Sequence, residues 1–421
     1  MELSDFPFPF ECGHFPHHTE IFRYFQSYKK HYDLDKCIRW NTNVEMISKV
    51  DGKWHLELST SEVVVVDAVL VCTGKLWKPK IPKWKLPDRV DSLHSKDYRN
   101  PERFANKSVL IVGIGNSALD IALELSKDKS ITVNVSCRRG TTIIPTKDSW
   151  GYPNDIKLGS RLFQYTMSPL LRMATLSNMT SYANKEFRKA GLPEPPGGMF
   201  SAQSPTANLK ATDDFIKQLK SKRITFVPGF SGKFDGDEAV LDDGSRLNVD
   251  AIIFATGFDL DIFDIMEKKI ASQIQQESRW EDQNRSVPWL KLYKSTMYDP
   301  SLFFLGFITS FGNETCIGEM QARWATAMMA GLFPTPTKET IEKDLEASHN
   351  HLQATKPSVS GFVRYVKYMD DLAKDLGCFP ESIVQNRGWT LSSLKALWNL
   401  YFGPVVPSQY RLVGPDSLSK L

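Results

Sequence analysis

Val109-Leu110-Ile111-Val112 is an unbroken apolar run, and Gly113-Ile114-Gly115-Asn116-Ser117-Ala118-Leu119-Asp120 follows it directly. Four apolar residues suit a short, buried strand. From Ser117 to Lys127, Ala118, Ile121, Ala122 and Leu125 fall on one face of a helix. Gly113-x-Gly115-x-x-Ala118 therefore stands at a strand-to-helix turn, the setting a dinucleotide fingerprint requires. Gly113 permits the tight turn. Gly115 lets a pyrophosphate reach backbone N–H groups at the positive end of the helix. Ala118 keeps helix and sheet close. Asp120 either supports the turn and its cofactor or simply complements the helix dipole.

The next strand, Ile131–Val135, runs into Ser136-Cys137-Arg138-Arg139-Gly140. A site for NAD places an acid near this point, and none is present. Arg138 and Arg139 favour the 2′-phosphate of NADP(H), because guanidinium forks match phosphate oxygens. The plainer alternative is a solvated basic turn. A second signal is an internal repeat. Asp67-Ala68-Val69-Leu70-Val71-Cys72-Thr73-Gly74 matches Asp250-Ala251-Ile252-Ile253-Phe254-Ala255-Thr256-Gly257. Each is an Asp, a buried-strand run and a small-Thr-Gly turn, and glycine there lets backbone approach a flat cofactor. Cys72, Thr73, Gly74, Thr256 and Gly257 are therefore candidate cofactor contacts. The expected fold class is α/β, with two dinucleotide-binding Rossmann-like domains.

Further out, the chain reads as loop to about residue 18, then a helix over Glu20–Tyr32. Strands are expected at Ile38–Val50, Trp54–Ser59 and Val63–Val71, with a hairpin turn at Asp51-Gly52. Trp77–Pro87 reads as a linker. Residues 145–210 have weak periodicity and read as an insertion or lid. Strands resume at Arg223–Val227 and close with Ala251–Phe254. The sequence of 421 residues carries 52 Lys+Arg against 49 Asp+Glu, a formal net charge of +3, which gives no electrostatic reason to invoke nucleic acid. The six scattered cysteines include no C-x-x-C pair and suit reduced thiols. No apolar run approaches a membrane span, and MELSDFPFPF carries neither a basic n-region nor an apolar h-region. His14, His17 and His18 lack partner ligands and read as surface loop rather than metal site.

Ordered motifs through the chain resemble the animal flavin-containing monooxygenases of the N- and S-oxygenating type. They are Ser4-Asp5-Phe6-Pro7-Phe8-Pro9, His94-Ser95-Lys96-Asp97-Tyr98, Gly113-Ile114-Gly115-Asn116-Ser117, Arg138-Arg139-Gly140 and Phe254-Ala255-Thr256-Gly257-Phe258. Gln321-Ala322-Arg323-Trp324-Ala325, Phe402-Gly403-Pro404 and Gln409-Tyr410-Arg411-Leu412 complete the set. The family pattern F-x-G-x-x-x-H-x-x-x-Y/F is half kept: His94 and Tyr98 are in place, while Asp88 and Val90 replace the Phe and Gly.

The resemblance implies FAD and NADP(H) as cofactors, O₂ and a small nucleophilic substrate as partners, and oxygen transfer through a C4a-hydroperoxyflavin. It implies NADP contacts from Gly113, Gly115, Asn116, Ser117, Ala118, Arg138 and Arg139. Flavin contacts are expected from Thr73, Gly74 and Gln321. It divides the chain into a partial FAD domain over 1–100, an NADP domain over 101–258 and a return to the FAD domain over 259–421. Such an enzyme uses two glycine fingerprints, and this sequence carries one; the FAD fingerprint is expected before Met1. The alternative is therefore a truncated, non-catalytic form or an incomplete gene model that binds NADP(H) but not FAD. The expected location is cytoplasmic or at the cytosolic face of the endoplasmic reticulum. Contact with the membrane would be peripheral, with Trp389–Phe402 as either a membrane-surface face or a core helix.

Overall fold

A computed structural model describes residues 3–9, 12–13, 15–148, 150–154, 158–201, 203–209, 211–280, 285–310, 312–357 and 361–379, together with 398, 400–401, 405 and 407–410. Helix α1 (His18–His31) begins where His17 caps it: the imidazole accepts from Thr19 N–H, while Glu20 accepts from His17 N–H at 2.6 Å. His17 is thus a capping residue. Tyr24 on this helix donates to Phe6 O at 2.6 Å and fixes the N-terminal segment.

Strands β1 (Val44–Val50), β2 (Lys53–Leu58) and β3 (Val63–Val66) form an antiparallel sheet. Asp51 (φ 48°) and Gly52 (φ 82°) close the first hairpin, both left-handed as a tight hairpin of this type requires. The expected strand 38–50 starts late because Asn41 also takes a positive φ. The expected strand 63–71 breaks at Asp67, and β4 (Val69–Val71) leaves for a different sheet. The Pro-rich crossing holds the short β5 (Lys78–Pro79), and β6 (Asp91–His94) follows it.

Next come β7 (Ser108–Val112), α2 (Asn116–Leu125), β8 (Thr132–Ser136) and β9 (Thr142–Pro145). The expected lid contains a 21-residue helix, α3 (Pro169–Lys189), and returns through β10 (Thr206–Leu209) to pair in parallel with β9. Its helix is cryptic in sequence because only its second half is buried: Thr180, Ala183, Asn184 and Phe187. Asn184 bonds both backbone groups of Ile143 at 2.9 Å, standing in for a neighbouring strand.

Helix α4 (Thr212–Lys220) precedes β11 (Ile224–Val227), the antiparallel sheet β12 (Phe230–Asp235), β13 (Glu238–Leu241) and β14 (Arg246–Asn248), and then β15 (Ala251–Phe254). The central sheet has the order β11-β8-β7-β15-β6, parallel throughout. Its edge strand β6 lies ahead of residue 101. Val109, Ile111, Val133, Val135 and Ile253 face one core with α2 and α4, while Leu110, Val112, Ile252 and Phe254 face the other. Burial on both faces explains the unbroken apolar runs.

After β16 (Phe258–Asp259), which pairs with β5, come α5 (Lys268–Ile274) and the hairpin β17 (Gln275–Trp280) and β18 (Arg285–Leu290). Strands β19 (Met297–Asp299) and β20 (Leu302–Phe304) join β4 in the order β19-β20-β4, with β20 and β4 parallel. Helices α6 (Glu314–Met329), α7 (Lys338–Thr355) and α8 (Tyr365–Asp375) follow, and a 3-10 turn over Pro407–Tyr410 comes last. Trp324, Met320, Val366 and Met369 pack in the core of α6 and α8.

One buried ion pair ties the 158–166 segment to α8. Arg161 grips Asp370 through Nη2–Oδ1 at 2.7 Å and Nε–Oδ2 at 3.2 Å, with both side chains at most 2% exposed. Tyr410 donates to Asp370 at 2.7 Å, Tyr165 does so at 3.1 Å, and Gln409 accepts from Arg161 at 2.9 Å. The expected face over 389–402 lies almost entirely outside the described residues, as does His14. Among the described residues no helix is long and apolar enough to cross a membrane.

Candidate functional site

Strands β7, β8 and β15 are parallel neighbours, so their C-terminal ends share one edge of the sheet. Gly113 leaves β7 at φ 122°, and its N–H donates to Ser136 O at 3.0 Å. A Cβ on Gly113 would stand 2.4 Å from Ala255 O, so the turn is packed against the end of β15. Gly115 is the N-cap of α2 and offers no side-chain cap. Among the described residues no side chain caps the first N–H groups of the helix, the arrangement that receives an anion. Gly115, Asn116 and Ser117 are exposed, whereas Ala118 is fully buried against the sheet. Asn116 is engaged by protein: its Oδ1 accepts from Asn208 N–H at 2.9 Å and anchors β10 beside the glycine turn. Asp120 is exposed on the first turns of α2.

Arg138 and Arg139 follow β8 at the same edge, both exposed. Among the described residues neither makes an ion pair with a carboxylate. The turn that carries them is held from two sides. A Cβ on Gly140 would lie 1.8 Å from Pro193 O, and one on Gly229 would lie 2.5 Å from the Arg138 stem. Both glycines permit these close crossings.

The closing turn of β15 is pinned from outside. Lys80 N–H donates to Gly257 O at 2.9 Å, and the Thr256 hydroxyl donates to Lys80 O. His94 is 1% exposed; its Nδ1 accepts from Lys96 N–H at 3.1 Å, which leaves the proton on Nε2 to donate to Gly257 O at 3.0 Å. The imidazole is thus held neutral, and burial pushes its pKa below the ordinary 6.5. Protonation must break one of these bonds, so His94 contributes stability above pH 6.5 that is lost as pH falls through the lower folded value. His94→Gln keeps a donor without the titration. Its unfolding free energy should depend less on pH below 6.5 than that of the parent; equal slopes in denaturant melts would refute the role.

The two copies of the repeat are unequal in their surroundings. Asp250 accepts from Ser108 N–H at 2.8 Å, and β15 has neighbours on both sides. Asp67 instead pairs with Lys53, and among the described residues β4 is paired with β20 alone. Thr73 is exposed at the end of β4, and Gly74 takes φ 76°. Cys72 is exposed, with its thiol turned toward Leu70 O at 3.7 Å. Beside them, the turn after β20 carries Gly306 at φ 80°. A Cβ on Gly74 or Gly306 would meet nothing within 4 Å, so both turns border open space.

Gln321 is fully buried on α6 and does not line this opening. Its Oε1 accepts from Gly306 N–H at 2.8 Å, and its amide donates to Tyr368 at 2.8 Å and Thr296 at 3.0 Å. Its polar groups are taken by protein, which corrects the expected flavin contact: Gln321 orients the Gly306 turn. Sequence reading missed Gly306 itself, although Leu302-Phe303-Phe304-Leu305-Gly306 is another apolar run ending in glycine.

A family model described as flavin-binding monooxygenase-like matches residues 1–419. The chain is 31% identical to rabbit (Oryctolagus cuniculus) dimethylaniline monooxygenase [N-oxide-forming] 2 over 430 residues, covering 98% of this chain and 77% of the relative. Among solved structures, S-allyl-L-cysteine S-oxygenase from Allium sativum superposes with a TM-score of 0.57 at 19% identity, over 95% of this chain and 81% of that one. The protein OTEMO in complex with FAD and NADP gives 0.58 at 17% identity, over 87% and 83%. At these identities the structural likeness speaks for the fold.

Proposed function

The chain belongs to the flavin-binding monooxygenase-like family, and from that premise we propose that it is an NADPH- and FAD-dependent monooxygenase of soft nucleophiles. One oxygen atom of O₂ passes to an amine nitrogen or a thioether sulfur. The other leaves as water, with both electrons coming from NADPH. The observation that carries this reading is the uncapped glycine turn beside Arg138 and Arg139 on a single sheet edge. The relatives' names, one N-oxide-forming and one an S-oxygenase, support the substrate class.

The residues present fit NADP(H) well. Backbone N–H groups of Asn116, Ser117 and Ala118 would hold its pyrophosphate, and Arg138 and Arg139 its 2′-phosphate. For FAD the fit is partial. The open turns at Thr73-Gly74 and Gly306 accept a flat ring edge. Among the described residues that half has no second glycine at a helix N-cap: α1, α5, α6, α7 and α8 are entered through His17, Glu267, Asn313, Thr337 and Arg364. When bound, FAD supplies electron transfer and O₂ activation. The chain itself binds, orients and shields. We place the protein in the cytoplasm or at the cytosolic face of the endoplasmic reticulum. Exposed Leu170, Leu171 and Met173 at the start of α3 suit peripheral contact.

Replacing Arg138 and Arg139 together by serine should weaken NADPH binding by about ten- to a hundredfold, with NADH little affected. Equal losses for the two nucleotides would assign the arginines another role. The reaction itself is tested by incubating the protein with NADPH, a dialkyl sulfide and isotopically labelled O₂. One labelled oxygen in the sulfoxide supports the proposal; NADPH oxidation that yields only peroxide contradicts it.

A further inference from the structure

We propose that Lys75 is a positioning residue for the second cofactor lip, stapling the turn after β4 to the turn after β20. This rests on the reading of that edge as a flavin site. The two turns leave parallel neighbouring strands, and nothing in strand pairing fixes one against the other once the strands end. Lys75 spans the gap. Its ammonium donates to Ile308 O and to Thr309 Oγ1 at 2.6 Å, and it lies 3.5 Å from Glu314 Oε1. Three segments distant in sequence thus meet on one side chain: the β4 turn, the β20 turn and the first residue of α6.

The side chain is 18% exposed, and a charge drawn this far from water is tolerated when its donors are satisfied. The other half of the molecule offers a counterpart, since His94 holds the closing turn of β15 through Gly257 O. Gln321 fixes Gly306 from beneath, so the lip is held by one buried amide and one bridging ammonium. Opening the staple would let Gly74 and Gly306 move apart and loosen the slot that a flat ring enters. The NADP edge, on a different sheet, would be untouched.

The test uses the whole chain with Lys75→Met, which keeps the stem and removes the charge, and Lys75→Arg, which keeps donors. In protein without flavin, amide hydrogen exchange at 73–75 and 305–310 should speed up in Lys75→Met; exchange equal to wild type overturns the staple. In titrations with FAD followed by flavin fluorescence, Lys75→Met should bind about tenfold more weakly, Lys75→Arg should recover part of the loss, and NADPH affinity should stay put. Parallel loss of FAD and NADPH binding would mark a structural residue only and overturn the positioning role. A wild-type chain that takes up no FAD overturns the flavin reading and this role with it, whereas wild-type uptake with an unaffected Lys75→Met overturns this role alone.

Discussion

Gly113→Ala is expected to weaken NADPH binding by about a hundredfold or more, roughly 2.7 kcal/mol. The residue sits at φ 122°, where a side chain is strained, and an added Cβ would lie 2.4 Å from Ala255 O. Either the turn flattens or the ends of β7 and β15 separate, and both displace the N–H groups of α2. Gly115→Ala is the informative companion. At φ −81° its backbone tolerates alanine, and its Cβ meets no protein atom within 4 Å. That variant should fold as the parent does and lose affinity only by obstructing the phosphate, by about tenfold. Fluorescence titration with NADPH reads both. If Gly113→Ala binds as the parent does, the glycine turn is not the nucleotide site.

The second large effect falls on stability. Arg161→Met strips the partner from a carboxylate that is fully buried, and removing one member of such a pair costs about 3–5 kcal/mol. Asp370→Leu should cost as much, by stranding a buried guanidinium. The double variant should recover most of the loss, because two apolar side chains leave no uncompensated charge. Chemical denaturation of the four proteins completes the cycle. Additive losses would show that the pair is not coupled, despite its two-point contact and the Tyr410 hydroxyl that bonds both members.

What could be read from the sequence follows a physical division. Gly113, Gly115 and Ala118 were legible because a strand, a tight turn and a helix are specified by neighbouring residues. The Thr-Gly repeat was legible for the same reason, and both glycines take left-handed backbone. Helix α3 was hidden because half of it faces solvent and leaves no apolar stripe. The switch of β4 to another sheet was hidden because strands are chosen by their partners, and β20 lies more than two hundred residues away. Gln321 shows the limit most plainly. A glutamine on a helix gives no sign of which way it points, and only packing reveals that it grips Gly306, Thr296 and Tyr368. Arg161 and Asp370 were equally silent, since a charge in sequence reads as surface until its partner is placed.

A chain that joins a flavin to NADPH shows it in its absorbance between about 350 and 500 nm. The expected result is a flavin spectrum near one FAD per chain, bleached when NADPH is added without O₂. A colourless chain that still binds NADPH, even with FAD supplied, would contradict it and identify an NADP(H)-binding protein without flavin chemistry of its own.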